Sequence, residues 1–365
     1  MLPFTQDRDY NENPFIVIWE VTRACALKCL HCRAEAQYKA DPRQLTFEEG
    51  KRLIDDIAEM NHPLFVFTGG DPLMRPDLFD LARYAIEQKK LPVSMTPSAT
   101  PKVTQAAIEK AKEFGLSRWA FSLDGSSEEI HDHFRGTKGS YRLTMRGIEY
   151  LQQLQIPIQV NTTVSNYNLH DLEAIAVKVK EMGAVLWSVF FLVPTGRGME
   201  KDMITPNQHE EVMKWLCQVQ QRMPYGVKAT EAPHYRRVFL QERKRLGEQQ
   251  ADSGMKRADL LGRAHKGVND GDGFAFISHI GDVYPSGFLP VACGNVRERS
   301  LKEIYRHSPV MKQLRDKSLL KGKCGACEFK DLCGGSRARA YAVTGDYLES
   351  DPYCAYIPKG WTDHV

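Results

Sequence analysis

Three cysteines lie within one short loop, spaced Cys25-x3-Cys29-x2-Cys32, directly after the apolar run Phe15-Ile16-Val17-Ile18-Trp19. Thiolates at such spacings hold iron–sulfur clusters, and a cubane normally takes four of them. A triad leaves one iron without a protein ligand and therefore open to an exchangeable group. A structural zinc site would instead present CxxC pairs and close a tetrahedron. His31, the neighbour of Cys32, is badly placed to share that residue's metal, so a zinc knuckle or a set of buried thiols fits this loop less well than a cluster.

Whole-chain properties narrow the setting. A chain of 365 residues can bury a large core and should hold one large domain plus a smaller one. Its net charge of +3 gives no reason to expect nucleic acid or an anionic membrane as a partner. No apolar run reaches the length of a membrane span, and the first residues lack a signal-peptide hydrophobic region. Nine cysteines, seven of them clustered in two groups, read as metal ligation in a reducing compartment, not as a disulfide framework. The expectation is a cytoplasmic enzyme with an oxygen-sensitive cofactor.

The hydrophobic pattern then alternates between two periods. Thr46 and Glu49 form a capping box ahead of a helix carrying Leu53, Ile54, Ile57 and Met60 on one face. The strand Leu64–Phe67 follows and ends in Thr68-Gly69-Gly70-Asp71-Pro72. The alternation predicts helices near Asp77–Lys89, Thr104–Phe114, Tyr141–Leu154 and Leu169–Met182. Strands are predicted near Pro92–Thr96, Trp119–Leu123, Ile156–Val164 and Val185–Val193. Near-continuous apolar strands separated by helices argue an α/β fold with a parallel sheet covered on both faces. The site of such a fold lies at the carboxyl ends of its strands, where Cys25–Cys32, Gly69–Pro72 and Ser122-Leu123-Asp124-Gly125 all fall.

The run Glu20-Val-Thr-Arg-Ala-Cys25-Ala-Leu-Lys-Cys29-Leu-His-Cys32 resembles the signature of the radical S-adenosylmethionine (SAM) superfamily. The likeness covers about residues 15–195 and implies a partial (βα)6 TIM-like barrel. It implies that the open iron chelates SAM, whose reductive cleavage yields a 5′-deoxyadenosyl radical that abstracts a substrate hydrogen. Gly69, Gly70 and Asp71 resemble the GGEP element that receives the SAM ammonium, with Asp71 in place of the usual Glu. Ser122 and Asp124 match the SLDG element. The likeness also assigns Arg135 to the SAM carboxylate, Asn161 to the ribose and the backbone at Leu192 to adenine. An electron donor such as flavodoxin or ferredoxin is implied as well.

Asp202–Asp270 reads as a polar, helix-rich bridge, and Phe274–Tyr284 as a β-hairpin turning at Gly281-Asp282. A second constellation follows, Cys324-x2-Cys327-x5-Cys333, with Cys354 further on. This tail resembles the SPASM or twitch extension that holds auxiliary clusters. The pattern for an inner cluster is broken by Arg337 and Ser286, while the outer one keeps Cys324, Cys327, Cys333 and Cys354; zinc remains an alternative metal for these four. The expected division is a barrel core over 1–200, a helical bridge over 201–270 and a small hairpin plus cysteine-rich domain over 271–365. Two [4Fe–4S] clusters follow, one catalytic and one auxiliary. Cys217 reads as a buried hydrophobe, and Cys293 is left without a role.

Within the superfamily, Thr22–Ala34 and Cys333–Asp346 look most like the heme-biosynthesis branch, which acts on tetrapyrrole propionates. Peptide maturases share the architecture and are the alternative, weakened by the dozen or so residues ahead of the first strand; a non-enzymatic, metal-stabilised binding protein is a third. Arg197, Arg337 and Arg339 are expected at the mouth as cations for substrate carboxylates, with Phe190, Phe191 and Phe288 as apolar walls.

Overall fold

A computed structural model describes residues 8–245 and 267–362. The first half alternates strand and helix: β1 (Ile16–Glu20), α1 (Phe47–Ala58), β2 (Leu64–Thr68), α2 (Leu78–Arg83), β3 (Val93–Met95), α3 (Gln105–Glu113) and β4 (Arg118–Ser122). Two helices, α4 (Glu128–Arg135) and α5 (Ser140–Gln153), lead to β5 (Ile158–Val164), α6 (Leu172–Glu181) and β6 (Leu186–Phe191). Then come α7 (Pro206–Arg222), β7 (Gly226–Thr230) and α8 (Tyr235–Arg245). The tail contains β8 (Phe274–Ile277), β9 (Asp282–Tyr284), β10 (Gly294–Asn295), α9 (Leu301–His307), α10 (Pro309–Arg315), α11 (Gly322–Ala326) and α12 (Arg337–Thr344).

Among the described residues all ten strands join one sheet in the order β10-β9-β8-β1-β2-β3-β4-β5-β6-β7. Pairing from β1 through β7 is parallel throughout, as the near-continuous apolar strands require. The capping box at Thr46 forms, with Thr46 Oγ1 accepting from Glu49 N at 3.3 Å and Glu49 Oε2 from Thr46 N at 2.7 Å. It aims Leu53, Ile54 and Ile57 of α1 at the sheet, where each buried side chain contributes about 1.5–3 kcal/mol. Alternate residues divide the two sides of each strand. Val17, Trp19, Phe65 and Phe67 pack outward on the helices in the main core, whereas Ile16, Leu64 and Val66 form a separate apolar plug inside.

The hairpin forms as expected, β8 and β9 pairing antiparallel, but it is not a separate layer. β8 lies parallel beside β1, Ile16 opposite Phe274, so the tail extends the barrel sheet. The bridge is not wholly helical either: β7 adds a seventh parallel strand beside β6. Its sequence, Gly-Val-Lys-Ala-Thr, buries only Val227, because an edge strand does not need the apolar run that reveals an inner one. Residues 246–266 of the expected bridge lie outside the described residues. The helix expected over Asp77–Lys89 loosens after Arg83 into a π turn at Tyr84–Gln88. No helix among the described residues is long and apolar enough to cross a membrane.

A Cβ added at Gly50 of α1 would sit 2.6 Å from Trp19 Cη2, so helix and sheet touch there without room for a side chain. Gly50→Val should destabilise the protein by about 1–3 kcal/mol, the usual cost of overpacking, seen as a lower urea midpoint. An unchanged midpoint would show that α1 is not seated on Trp19.

Candidate active site

The cysteine loop leaves the carboxyl end of β1 and is pinned on three sides by neighbouring segments. From the turn after β2, Gly70 N donates to Thr22 O at 2.8 Å and Asp71 N to Ala24 O at 2.7 Å. The contact is so close that a Cβ on Gly70 would lie 2.6 Å from the carbonyl oxygens of both Arg23 and Ala24. Glycine is required here by the approach of two backbones. From the end of α4, Phe134 O accepts from Leu30 N at 3.1 Å, and Thr137 Oγ1 accepts from Lys28 N at 3.2 Å. From the loop after β6, Arg197 N donates to Cys32 O at 3.0 Å and its Nε to Cys29 O at 2.9 Å. Gly196, at φ +61°, packs against the carbonyls of Cys32 and Arg33.

Held in this way, Cys25, Cys29 and Cys32 gather in one small cluster with Leu27 and Ala36. Leu27 N donates to Cys25 Sγ at 3.4 Å and Ala36 N to Cys32 Sγ at 3.5 Å, while Ser98 Oγ stands 3.5 Å from Cys25 Sγ. Burial pushes the Cys29 thiol up to about 11, so a bound metal, not bulk water, would make it a thiolate. Arg135 closes one side. Burial by itself would lower its pKa, but Cys29 as a thiolate, then Asp124 and Cys25, would outweigh that and hold it above the ordinary guanidinium value. Three neighbouring thiols on one loop, N–H donors on two sulfurs and an adjacent buried cation fit a cluster with one open iron.

The other motif residues stand around the same end of the sheet. Asp71 is fully buried and its carboxylate is occupied: Oδ2 accepts from Thr100 Oγ1 at 2.8 Å, and Oδ1 from Leu73 N at 3.2 Å and Ser98 N at 3.3 Å. Loss of hydration pushes it up to about 6. Asp124 Oδ2 meets Arg135 Nη1 at 3.2 Å, and its Oδ1 accepts from Thr163 N at 2.8 Å. His131 Nδ1 accepts from Asp124 N at 3.1 Å, and burial pushes that imidazole down to about 3. Ser122 and Asn161 are opposite each other on β4 and β5, and Asn161 Oδ1 accepts from Gln159 Nε2 at 2.8 Å. Leu192 is buried just past β6. Ser98 and Thr100 were not singled out from sequence, although their place after β3 is the signal that marks them.

Beside the loop lies a buried ion hub that the sequence reading missed. Glu20, at the end of β1, meets Arg23 Nε at 3.0 Å, Arg33 Nη2 at 3.0 Å and His279 Nδ1 at 3.1 Å. Burial alone would raise the Glu20 pKa, but Arg33, then His279 and Arg23, hold it at about 2. The hub ties β1 and the cysteine loop to the turn after β8. Arg33 also lies over the Phe276 ring, 4.5 Å from its centroid.

In the tail, Cys324, Cys327, Cys333 and Cys354 all line one pocket. Three of their sulfurs accept backbone N–H bonds at 3.4 Å, Cys324 from Asp351, Cys327 from Phe329 and Cys333 from Gly335. Among the described residues no three His, Cys, Asp or Glu side chains converge as a single ion requires, here or in the Cys25–Cys32 loop. Four thiols spread around a pocket suit a cubane, one for each iron. Cys217 and Cys293 are buried in the main apolar core, away from both sets.

Of the three arginines expected at a substrate mouth, Arg337 and Arg339 are buried in the tail instead. Arg197 is the clamp described above. Arg337 is 1% exposed and spends Nη1 on Tyr347 O at 2.9 Å and Glu349 O at 2.6 Å, with Nη2 3.6 Å from Cys324 Sγ. Arg339 and Asp351 form a fully buried ion pair at 2.9 Å. Removing either partner would strand a charge, at a cost of about 3–5 kcal/mol. Of the three aromatics, Phe190 and Phe288 face each other with centroids 6.3 Å apart, while Phe191 turns outward onto His209.

The two thiol sets are separate, so they should be separable. Replacing Cys25, Cys29 and Cys32 together by Ala should leave a folded protein with about half its iron, since the core does not depend on the loop's metal. SAM cleavage should be abolished in that variant; undiminished 5′-deoxyadenosine would contradict the assignment.

Comparison with known proteins agrees with this geometry. Residues 19–179 match the radical SAM superfamily, and residues 270–328 match the SPASM iron–sulfur cluster-binding domain, a segment that includes Cys324 and Cys327. The chain is 42% identical over 351 residues to the AdoMet-dependent heme synthase of Methanosarcina barkeri, covering 94% of this chain and 97% of that one. It is 40% identical over 349 residues to the protein of the same name from Nitratidesulfovibrio vulgaris, covering 95% and 94%. The crystal structure of Streptococcus suis SuiB bound to S-adenosylmethionine shares the fold at a TM-score of 0.70 and 15% identity, covering 94% of this chain and 78% of SuiB. A radical SAM domain works with SAM and a [4Fe–4S] cluster, and a SPASM extension adds an auxiliary cluster. The chain is therefore a member of the radical SAM superfamily, a SPASM-extended enzyme of the branch that contains the AdoMet-dependent heme synthases.

Proposed function

We propose that the protein oxidatively decarboxylates propionate arms of a tetrapyrrole such as iron-coproporphyrin. The observation that carries this reading is the likeness to two heme synthases along nearly the whole of both chains, with both thiol sets in place. When bound, cluster and SAM together supply one-electron cleavage of a sulfonium and, through it, abstraction of a hydrogen atom. Everything else asked of the chain is positioning.

Arg135, buried and charged beside the cysteines, is assigned to the SAM carboxylate, for which a guanidinium fork is well shaped. Because the Asp71 carboxylate is taken up by Thr100, Leu73 and Ser98, the main chain of Gly69 and Gly70 is assigned to the ammonium, with Asp71 fixing the turn that presents it. Asp124 holds Arg135 in place, Ser122 and Asn161 face the ribose, and the backbone at Leu192 borders adenine. Phe190 and Phe288 supply apolar wall for a macrocycle. Loss of a hydrogen atom from the propionate β-carbon, followed by departure of carbon dioxide and one electron, leaves a vinyl group. The four-thiol pocket is where this chain can hold an acceptor for that electron. A low-potential carrier such as flavodoxin or ferredoxin is the expected donor for SAM cleavage. The domain division proposed is a core over 1–200, a bridge over 201–270 and a tail over 271–365, with β7 and β8 inserted into the core's sheet.

Anaerobically purified protein should contain about eight irons, two cubanes of four, and little zinc. Iron-coproporphyrin should bind it with a shifted absorption band and raise the yield of 5′-deoxyadenosine. Absence of both effects, with turnover of a peptide substrate instead, would move the reading to a peptide maturase. Cys354→Ala should impair porphyrin turnover more than SAM cleavage without porphyrin, measured side by side by product chromatography. Equal losses would show that the auxiliary site only supports folding.

A further inference from the structure

The tail thiols stand beside a buried cation that the chemistry above does not use. Arg337, the residue that interrupts the inner-cluster pattern, opens α12 and is 1% exposed. Its Nε donates to Gly335 O at 3.3 Å and its Nη1 to Tyr347 O and Glu349 O, while Nη2 lies 3.6 Å from Cys324 Sγ. Arg237, which lines the thiol pocket, is paired with Glu210, Nη1 to Oε1 at 2.9 Å, and Arg339 is paired with Asp351. Arg337 makes no ion pair among the described residues. The carboxylates of this region are engaged elsewhere, Asp351 on Arg339, Asp270 on Ala338 N at 3.0 Å and Asp346 on Lys321. The Arg337 charge therefore meets only carbonyl dipoles and one sulfur.

The backbone makes room for that contact. Gly335, at φ +67°, lies between the two groups, and a Cβ there would sit 2.6 Å from Arg337 Nη2 and 3.0 Å from Cys324 Sγ. A residue without a side chain lets guanidinium and sulfur meet. The N–H of the same glycine donates to Cys333 Sγ at 3.4 Å, so one short segment addresses two of the four thiols. Cys324 Sγ also accepts from Asp351 N at 3.4 Å. It thus has two donors, one of them charged, whereas the donors on Cys327 and Cys333 are neutral amides.

A cubane held by four thiolates is a net anion, and reduction adds one more negative charge. A buried guanidinium within hydrogen-bond reach of one sulfur stabilises the reduced form more than the oxidised one, because burial keeps solvent and salt from screening it. Cluster potentials respond to such bonds and charges. We propose that Arg337 is a positioning residue for electron acceptance: through Cys324 it raises the potential of the cluster that the tail thiols hold, so that this cluster takes the electron released with carbon dioxide. In that step the bond between the propionate α-carbon and its carboxylate breaks, the bond pair stays on carbon and carbon dioxide leaves. With the unpaired electron already on the β-carbon, three electrons remain. Two form the π bond of the vinyl group, and the third reduces the oxidised auxiliary cluster by one electron. The inference rests on the oxidative decarboxylation proposed above and deepens it by naming what makes the tail an acceptor.

The test is a potentiometric titration of the full-length, cluster-loaded enzyme, followed by electron paramagnetic resonance. SAM added to a parallel sample alters only the catalytic signal and so tells the two clusters apart. Arg337→Gln should lower the auxiliary midpoint by at least about 59 mV, the one-electron equivalent of a tenfold change in the reduction equilibrium, and leave the catalytic midpoint in place. Arg337→Lys, which keeps the charge, should fall between Arg337→Gln and the wild type. Iron content reports whether each variant holds both clusters. An unshifted auxiliary midpoint in iron-replete Arg337→Gln would overturn the proposal. Should neither variant retain the auxiliary cluster, wild-type enzyme carrying arginine labelled with heavy nitrogen decides: pulsed resonance should show an arginine nitrogen coupled to the reduced auxiliary cluster, and absence of that coupling would overturn the proposal. No porphyrin enters these measurements, so their failure leaves the tetrapyrrole reading standing. Failure of that reading, porphyrin of unchanged mass after turnover, is recorded separately.

Discussion

A loop carrying three thiols within eight residues cannot be stable in its own right, and much of this structure holds that loop still. Its carbonyls at Thr22, Ala24, Cys29 and Cys32 are met by donors from the turns after β2 and β6, and its amides at Lys28 and Leu30 by acceptors near the end of α4. These supports come from distant parts of the chain. The loop is therefore correctly shaped only when the barrel is assembled, and metal affinity is a consequence of the fold. The two glycines that matter most, Gly70 and Gly196, are where backbone meets backbone.

The same dependence explains the buried charges. Glu20 with Arg33, Arg23 and His279 joins the core to the tail, and Asp351 with Arg339 joins the tail to the end of β7, since Arg339 Nη2 donates to Glu231 O at 2.7 Å. Buried ion pairs add little net stability compared with well-packed apolar residues, but each is costly to break singly. We read them as fixing how the tail docks. Asp351 N donates to Cys324 Sγ, so docking and the auxiliary site share a residue.

Most of the parallel sheet was legible because its strands are buried on both faces and read as apolar runs. β7 was not, because it is the last strand of the sheet among the described residues and Lys228 and Thr230 interrupt the apolar pattern. Helix α4 was hidden inside a stretch read for its motif, although Ser127 caps it and Gly136, in the left-handed region, ends it. The cysteines marked both candidate cluster sites through their spacing together with the family resemblance that spacing carries. The arginines misled: Arg197, Arg337 and Arg339 have the charge that a carboxylate site needs, but charge in a sequence does not reveal which carbonyl or carboxylate the fold has already assigned to it. Asp71 shows the same limit, standing beside the cysteine loop with its oxygens already committed to Thr100, Leu73 and Ser98.

The central claim is that this barrel directs hydrogen abstraction at a tetrapyrrole propionate. The most direct measurement is mass spectrometry of iron-coproporphyrin after anaerobic incubation with the reduced, cluster-loaded enzyme and SAM. The account predicts a product lighter by one carbon dioxide and two hydrogen atoms for each arm converted, with 5′-deoxyadenosine formed alongside. Deoxyadenosine accompanied by porphyrin of unchanged mass would contradict it.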